Sequence, residues 1–377
     1  MPDVPDDAEL DRLGAYDPED PAAEDWRVLV RRILELGATQ DDVSAAGAVG
    51  GLGSLSLDLS IRPEGESVDL ATFEAASDLD PGLARGMWRA LGFPEFAPMP
   101  FPVTPDIAAA LRVLVDLSAL VGEESAYAVA RVVGSVAARL AEAVSGAFRV
   151  GTEVPARVAG TPYSQVVAGY SEGARVWFPL FLGAFEAVFR RHMVLVSYQM
   201  WSPDEEGAAV TLRRTVGFAD LVGSTAAVRA GSPAVLARMV REFEERIWNV
   251  VTGAGGRVVK LIGDEAMFVV EDPAAACGVA LEMIAASPHP VRVGLAHGEL
   301  VALFGDYYGV TVNLAARLVA ATEPSTVLVS EGVADGAGDA FSFEPTAGRE
   351  LKGFPDPVVT YRLSGARRRG GRDPRPA

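Results

Sequence analysis

The feature that most constrains the fold is a change in hydrophobic period near residue 205. Before the polar break Ser202–Gly207, apolar residues recur at helical spacing, most extensively over Tyr163–Met200. After it, apolar and polar positions alternate, beginning with Val210–Phe218. A chain of 377 residues has room for two ordinary domains. The sequence therefore predicts an all-helical domain over residues 1–200, a linker over 201–210, an α+β domain over 211–364 and a disordered basic tail over 365–377.

Several further segments of the first half have helical patterns. They are Ala23–Leu36, Leu70–Ser77, Pro81–Leu91, Pro105–Leu117 and Glu124–Ala147. The two short helices within Ser67–Gly92 have the spacing of a helix-turn-helix, but the local acidity favours a packing unit of a helical domain. The first 25 residues are rich in Pro, Asp and Glu and predict a mobile segment.

The second half alternates strands with helices. A hairpin is predicted from Arg257–Ile262 and Glu265–Val270, and a second strand pair from Val291–His297 and Glu299–Phe304. The other predicted elements are helices over Pro233–Val251, Pro273–Ala286 and Val310–Ala321 and strands over Thr326–Ser330 and Val358–Leu363. This order favours a largely antiparallel sheet with helices on one face.

Charge and cysteine content exclude several classes of function. The chain has 51 acidic and 33 basic side chains and a net charge of −18, which disfavours binding to nucleic acid or anionic lipid. The most apolar stretch, Val176–Met200, is interrupted by charged side chains, so no membrane span is expected. The lone Cys277 excludes an intrachain disulfide, and the acidic N-terminus does not resemble a signal peptide. We therefore expect a cytoplasmic protein.

The first cluster of chemically capable residues is Phe218–Thr225. An apolar strand delivers Asp220 to its end, where a carboxylate can bind a hard cation. The following Gly223, Ser224 and Thr225 open a turn whose free backbone N–H groups can bind phosphate. Alternatively, Asp220 is a helix N-cap.

The second cluster, Val259–Phe268, places Asp264 at a hairpin tip. If this tip lies beside the end of the first strand, Asp220 and Asp264 form a two-carboxylate metal site suited to phosphoryl transfer. Alternatively, Asp264 is an ordinary Gly-Asp turn residue.

The third cluster, Phe304–Leu318, contains Asn313 and Arg317, which are four residues apart and project from one face of a helix. An arginine there can bind phosphate, and an asparagine can orient a sugar oxygen. Alternatively, the pair lies on a solvated helix face. The only two lysines of this arginine-rich chain are Lys260, within the second cluster, and Lys352.

Together the three clusters resemble the catalytic domain of class III adenylyl cyclases, over roughly Thr211–Leu363. The sequence Phe-Ala-Asp-Leu-Val-Gly-Ser-Thr is similar to the bacterial soluble branch of that family. The resemblance implies a ferredoxin-like antiparallel sheet with helices. It also implies conversion of ATP to cyclic AMP, two Mg²⁺ or Mn²⁺ ions on Asp220 and Asp264, and active sites shared between the subunits of a homodimer.

The resemblance also implies roles for the remaining candidates. Lys260 would bind adenine N1, and Asp306 would accept a hydrogen bond from the adenine amino group. Asn313 and Arg317 would orient the ribose and stabilise the transferring phosphate, and Lys352 would bind phosphate. A guanylyl cyclase would prefer Glu at position 260 and a small residue or Cys at position 306. A non-enzymatic nucleotide-sensing regulator would need a basic recognition face, which Ser67–Gly92 lacks.

The first half resembles the helical autoinhibitory domains of actinobacterial cyclases, some of which respond to pH or to lipids. We therefore expect it to regulate or dimerise the second half, with a proton or a lipid as the signal. The candidate sensor is His192, the only histidine of the first half. Imidazole is the side chain whose charge changes closest to neutral pH.

Overall fold

The computed structural model describes residues 5–94, 102–200, 210–223, 233–285 and 287–367. They belong to two compact units that meet in the sequence between Trp201 and Ser202. The first unit is helical and the second is a sheet with helices, which confirms the predicted α+β class with an all-helical first half. Most of the predicted linker and of the predicted basic tail lies outside the described residues.

The first unit is built from ten α-helices in its described part. They are α1 (Asp7–Arg12), α2 (Ala23–Glu35), α3 (Gln40–Ala48), α4 (Leu52–Ile61), α5 (Leu70–Ala76), α6 (Pro81–Ala90), α7 (Pro105–Val121), α8 (Glu123–Phe148), α9 (Val154–Val158) and α10 (Tyr163–Met200). A π-helical turn, Arg149–Glu153, joins α8 to α9. The prediction of a mobile N-terminus is wrong for α1, because Asp6 and Glu9 form a capping box and Leu10 is fully buried.

The helices of this unit pack around two separate hydrophobic cores. The first core joins α1 to α4 with the beginning of α10, around Leu29, Ile33 and Val167. The second joins α5 to α8, around Met87, Trp88 and other apolar side chains. The Ser67–Gly92 segment therefore contributes its second helix to a core, as a packing unit does.

Within the described residues of the first unit, the side-chain hydrogen bonds from helix α10 to other helices lie near its beginning. Asp25 of α2 accepts hydrogen bonds from the backbone N–H and the hydroxyl of Ser164. A side chain of α2 therefore pairs with one of the backbone N–H groups that the first turn of α10 leaves without a partner in its own helix. A buried hydrogen bond joins Ser171 to Ser56 of α4, and the Tyr170 hydroxyl donates to a backbone carbonyl of α4. From residue 175 to residue 195 every side chain is exposed in this unit.

The second unit is one sheet with helices on both faces. Its strands are β1 (Val210–Leu221), β2 (Arg257–Ile262), β3 (Glu265–Val270), β4 (Val291–Leu303), β5 (Asp306–Tyr308), β6 (Val327–Ser330), β7 (Phe341–Pro345) and β8 (Thr360–Ala366). The strand order is β2-β3-β1-β4-β6-β8-β7, with β5 paired to β4. Only β4 and β6 run parallel among these pairs.

The helices of this unit are α11 (Pro233–Gly253), α12 (Pro273–Ala285), α13 (Val310–Ala320) and α14 (Glu331–Ala337). Helices α11, α12 and α14 pack on one face of the sheet, and α13 packs on the other, which we call the α13 face. The expectation of helices on one face is therefore wrong.

The predicted strand pair Val291–His297 and Glu299–Phe304 is also wrong, because β4 continues through Gly298. A side chain at Gly298 would meet the Thr311 hydroxyl of α13 at 2.7 Å. This glycine permits a close approach of the helix and does not form a turn.

Candidate active site

The end of β1 places Asp220 between two charged neighbours on the α13 face. In the sheet register Asp220 lies opposite Glu265 of β3 on one side and Arg292 of β4 on the other. Arg292 Nε donates a hydrogen bond of 2.6 Å to Asp220 Oδ2. Asp220 is only 9% exposed, and this burial raises its pKa, while the hydrogen bond from Arg292 offsets part of the effect.

The β2–β3 turn brings Asp264 to the same place. The Leu221 backbone N–H donates to the Asp264 carbonyl at 3.0 Å, which joins the hairpin tip to the end of β1. Burial raises the pKa of Glu265, and the charges of Asp220 and Asp264 raise it further. The predicted proximity of the two aspartates is therefore present in the structure.

This group of carboxylates has the chemistry of a divalent metal site. Asp220 and Asp264 supply hard oxygen donors, which suit Mg²⁺ or Mn²⁺. Within the described ranges no three His, Cys, Asp or Glu side chains are arranged to hold a metal by themselves. Backbone carbonyl oxygens, water and phosphate oxygens are further ligands that such an ion accepts beside the two carboxylates. Gly223 follows β1, while Ser224 and Thr225 lie outside the described residues.

A second pair of candidates meets at the other end of β4. The Lys260 ammonium of β2 forms a charge-assisted hydrogen bond with Asp306 Oδ2, although 46 residues separate them. The other oxygen, Asp306 Oδ1, accepts from the Tyr307 backbone N–H at 2.8 Å. Lys260 and Asp306 are both partly exposed, so a hydrogen-bond donor and an acceptor stand side by side at an accessible surface.

The third group lies on α13. Asn313 and Arg317 are exposed on that helix, one turn apart. Arg317 Nε donates to the backbone carbonyl of Lys352 at 3.2 Å, so the turn after Leu351 adjoins the guanidinium. Leu351 anchors this turn in the core of the α13 face. The structure therefore brings the backbone of Lys352 next to the Arg317 guanidinium.

Sequence reasoning missed Arg292 and Glu265, the two charged neighbours of Asp220. Arg292 follows Val291 at the start of a strand that is otherwise apolar as far as Ala296. A lone arginine in such a strand is a signal that could have been noticed. Its partner could not be predicted, because that depends on the register between β1 and β4.

Comparison with known proteins identifies the family. Residues 211–365 match the model of the adenylate and guanylate cyclase catalytic domain. An uncharacterised protein of Mycobacterium tuberculosis (strain H37Rv) is 33% identical over 380 residues, covering 98% of this chain and 97% of the relative. Several relatives are named adenylate cyclase, among them proteins of Streptomyces coelicolor and Glutamicibacter nicotianae. The first is 32% identical over 67% of each chain, and the second is 30% identical over 77% of each chain.

The chain therefore belongs to the adenylate and guanylate cyclase family, and its second unit is the family's catalytic domain. The regular elements of its first unit are helices in the described part, apart from a single β-bridge between Val68 and Val103. No helix in the described part of the chain has the length and apolar character needed to cross a membrane.

Proposed function

We propose that this protein is an adenylyl cyclase, which converts ATP to 3′,5′-cyclic AMP and pyrophosphate. The observation that carries the proposal is the contact between Lys260 and Asp306. Adenine presents an acceptor at N1 beside a donor at its amino group, which matches an ammonium beside a carboxylate. Guanine presents a donor at N1 beside an acceptor at O6, so both contacts would be unfavourable. The relatives named adenylate cyclase support the same substrate.

The residues at the end of β1 suit the phosphate part of the reaction. Two divalent ions on Asp220 and Asp264 would bind the triphosphate and acidify the ribose 3′-hydroxyl. Arg292, already beside Asp220, would add positive charge where the pyrophosphate leaves. The 3′-oxygen attacks the α-phosphorus in line, one P–O bond forms, and the bond to pyrophosphate breaks. Arg317 would stabilise the charge that develops on the α-phosphate, while Asn313 orients the ribose.

We further propose that each active site is completed by a second copy of the chain. Apolar side chains are exposed on the elements that carry the candidates, namely Ile262 (52%), Leu303, Phe304, Tyr308 and Val310 (69%). Exposed apolar groups around functional residues are typical of an interface. Aspartates from one subunit would then face the base-binding and arginine groups of its partner, which gives two equivalent sites.

The helical unit would contribute a second part of the same homodimer. Between residues 176 and 198, α10 exposes large apolar side chains on all sides, from Trp177 (70%) to Tyr198 (83%). The stretch is about 35 Å long. Exposed apolar side chains over such a length, here interrupted by Glu186, Arg190 and Arg191, are typical of a surface that a partner covers. Helix α8 also exposes valines, among them Val132 and Val136. A second copy, already required at the catalytic domain, is the partner that would cover these helices.

We also propose that the helical unit regulates the catalytic one, with a proton or a lipid as the signal. His192 is exposed on α10, eight residues before the end of that helix. Its protonation would add charge beside Arg190 and Arg191. In a pH–activity profile, His192→Ala would flatten the response, while the matched control His289→Ala would keep it. If the His192→Ala variant responds to pH like the wild type, His192 is not the sensor.

The activity is tested by incubating the full chain with ATP and Mn²⁺ and separating the products. Cyclic AMP from the wild type, and none from Asp264→Ala, is the expected result. Cyclic GMP from GTP in preference to cyclic AMP from ATP would favour a guanylyl cyclase. Nucleotide binding without either product would favour a non-enzymatic sensor.

A further inference from the structure

Arg257, the first residue of β2, contacts both chain neighbours of Asp306. Its Nη2 atom donates a hydrogen bond of 3.1 Å to the carbonyl of Gly305. Its guanidinium lies 5.8 Å from the ring centroid of Tyr307, within the range of a cation–π interaction. The Arg257 side chain of β2 therefore contacts the residue before Asp306 and the residue after it.

A β-bulge in β2 makes this arrangement possible. In a regular strand, residues three apart point to opposite faces of the sheet. The register shifts between Val258 and Lys260, so that Arg257 lies opposite Val269 and Lys260 lies opposite Met267. Val269 and Met267 both face the α13 side. The bulge therefore directs Arg257 and Lys260 to the same face, where both reach the β4–β5 turn.

The β4–β5 turn has an unfavourable backbone conformation, which a contact from a neighbouring strand would stabilise. Phe304 has a φ of 48°, in the left-handed region that side chains other than glycine rarely adopt. Phe304 is also exposed, so its own side chain has little packing to hold this conformation. Within the described residues, the side chains of Arg257 and Lys260 connect this turn to β2.

We propose that Arg257 is a positioning residue for adenine selectivity. By holding Gly305 and Tyr307, it fixes the Asp306 carboxylate where it can accept from the adenine amino group. The inference rests on the proposed adenylyl cyclase activity. It adds a residue that determines substrate choice to Lys260 and Asp306, the two residues to which the family resemblance gives contacts with the base. Arg257 does not touch the nucleotide itself; it acts through Asp306.

The test compares two substrates that differ only in the group that Asp306 recognises. They are ATP and purine riboside triphosphate, which lacks the 6-amino group. Arg257→Ala would lower kcat/KM for ATP roughly tenfold, mainly through KM, since it removes one charge-assisted hydrogen bond and one exposed cation–π contact. For purine riboside triphosphate the loss would be less than about twofold. Arg257→Lys, which keeps the charge, would retain most of the ATP preference.

Two further variants separate positioning from general stability. Arg362→Ala is the matched control, because Arg362 is also an exposed strand arginine and it pairs with Glu323 at 3.0 Å, away from the β4–β5 turn. It would leave the ratio of the two substrates unchanged. In an Asp306→Ala background, Arg257→Ala would cause no further loss with ATP, because the group it positions is gone.

The inference is overturned if Arg257→Ala lowers kcat/KM equally for both substrates, or if its effect adds fully to that of Asp306→Ala. A wild-type chain that makes no cyclic AMP would instead contradict the proposed function. The positioning role would then be judged by affinity alone, from calorimetric titration of the same variants with the two nucleotides. Equal affinity changes for both nucleotides would again overturn it.

Discussion

The proposal that each active site is shared by two subunits predicts the activity that a complementation experiment should recover. Asp220→Ala removes a metal carboxylate, and Arg317→Ala removes the arginine on α13. Each variant alone should be inactive or nearly so, since loss of one charge-stabilising donor typically costs about 10²–10³-fold in kcat. Neither should unfold. Arg292, which loses its partner in the first variant, is one-third exposed, so water can solvate its guanidinium and the fold should persist.

In a mixed dimer of these two variants, one site carries both defects and the other carries none. Random exchange makes about half of the dimers mixed, so the mixture should recover about one quarter of the wild-type turnover per chain. Mixed dimers isolated with two different affinity tags should reach about one half. The assay is cyclic AMP formation after co-expression, with the wild type expressed in the same way as reference.

The matched control mixes Asp220→Ala with Asp264→Ala. Both changes lie in the same half-site, so every site of every dimer carries a defect and no activity should return. Recovery in this control would show that the aspartates do not act from one subunit. An inactive Asp220→Ala and Arg317→Ala heterodimer, with its composition verified, would refute the shared site.

Three other changes test particular contacts. Lys260→Glu combined with Asp306→Cys should weaken ATP turnover by about 10²-fold or more, because both base contacts are lost; unchanged ATP kinetics would show that these residues do not read the base. Gly353→Ala should lower kcat for ATP more than it changes KM. Gly353 has a φ of 93° and follows Lys352, whose carbonyl accepts the hydrogen bond from Arg317, so an alanine would strain this turn. An unchanged kcat would show that the turn does not position this arginine. Burial lowers the pKa of His297, so the unfolded chain binds a proton at this residue before the folded chain does, and stability decreases as the pH falls below about 6.5. His297→Gln should therefore lose less Tm than the wild type between pH 7 and pH 5. Equal losses of Tm in the two proteins would contradict this.

The sequence was informative where function and local structure coincide. Asp220 and Asp264 stand at a strand end and a hairpin tip, positions that periodicity and turn chemistry reveal without knowledge of the whole fold. The β2–β3 hairpin forms with its predicted bounds for the same reason. Among the base-binding candidates, Lys260 and Asp306 were connected only through the family resemblance, since 46 residues separate them.

The parts that could not be predicted depend on long-range packing or on elements too short to show a period. The partnership of Arg292 with Asp220 spans 72 residues and follows from the pairing of β1 with β4. Gly298 was interpreted as a break between two strands, because a glycine often marks a turn. A glycine is needed there because Thr311 of α13 packs against it, and the sequence around Gly298 does not show this contact. Helix α14 has seven residues, two of them glycine, so its apolar face is hardly visible in the sequence.

Helix α10 is long and is held near one end, so a small rotation at that end displaces the other end by several ångströms. Its 38 residues span about 57 Å, and the contacts with Asp25, Ser56 and α4 hold its first turns. A tilt of about 5° at Ser171 would displace the end of the helix, about 44 Å away, by about 4 Å, which is enough to break or form a layer of side-chain contacts. Pro179, inside the helix, removes one backbone hydrogen bond just beyond the held portion. If the first unit regulates the second as proposed, small changes around Leu29 and Val167 would become larger displacements at Met200, the last residue of the helix.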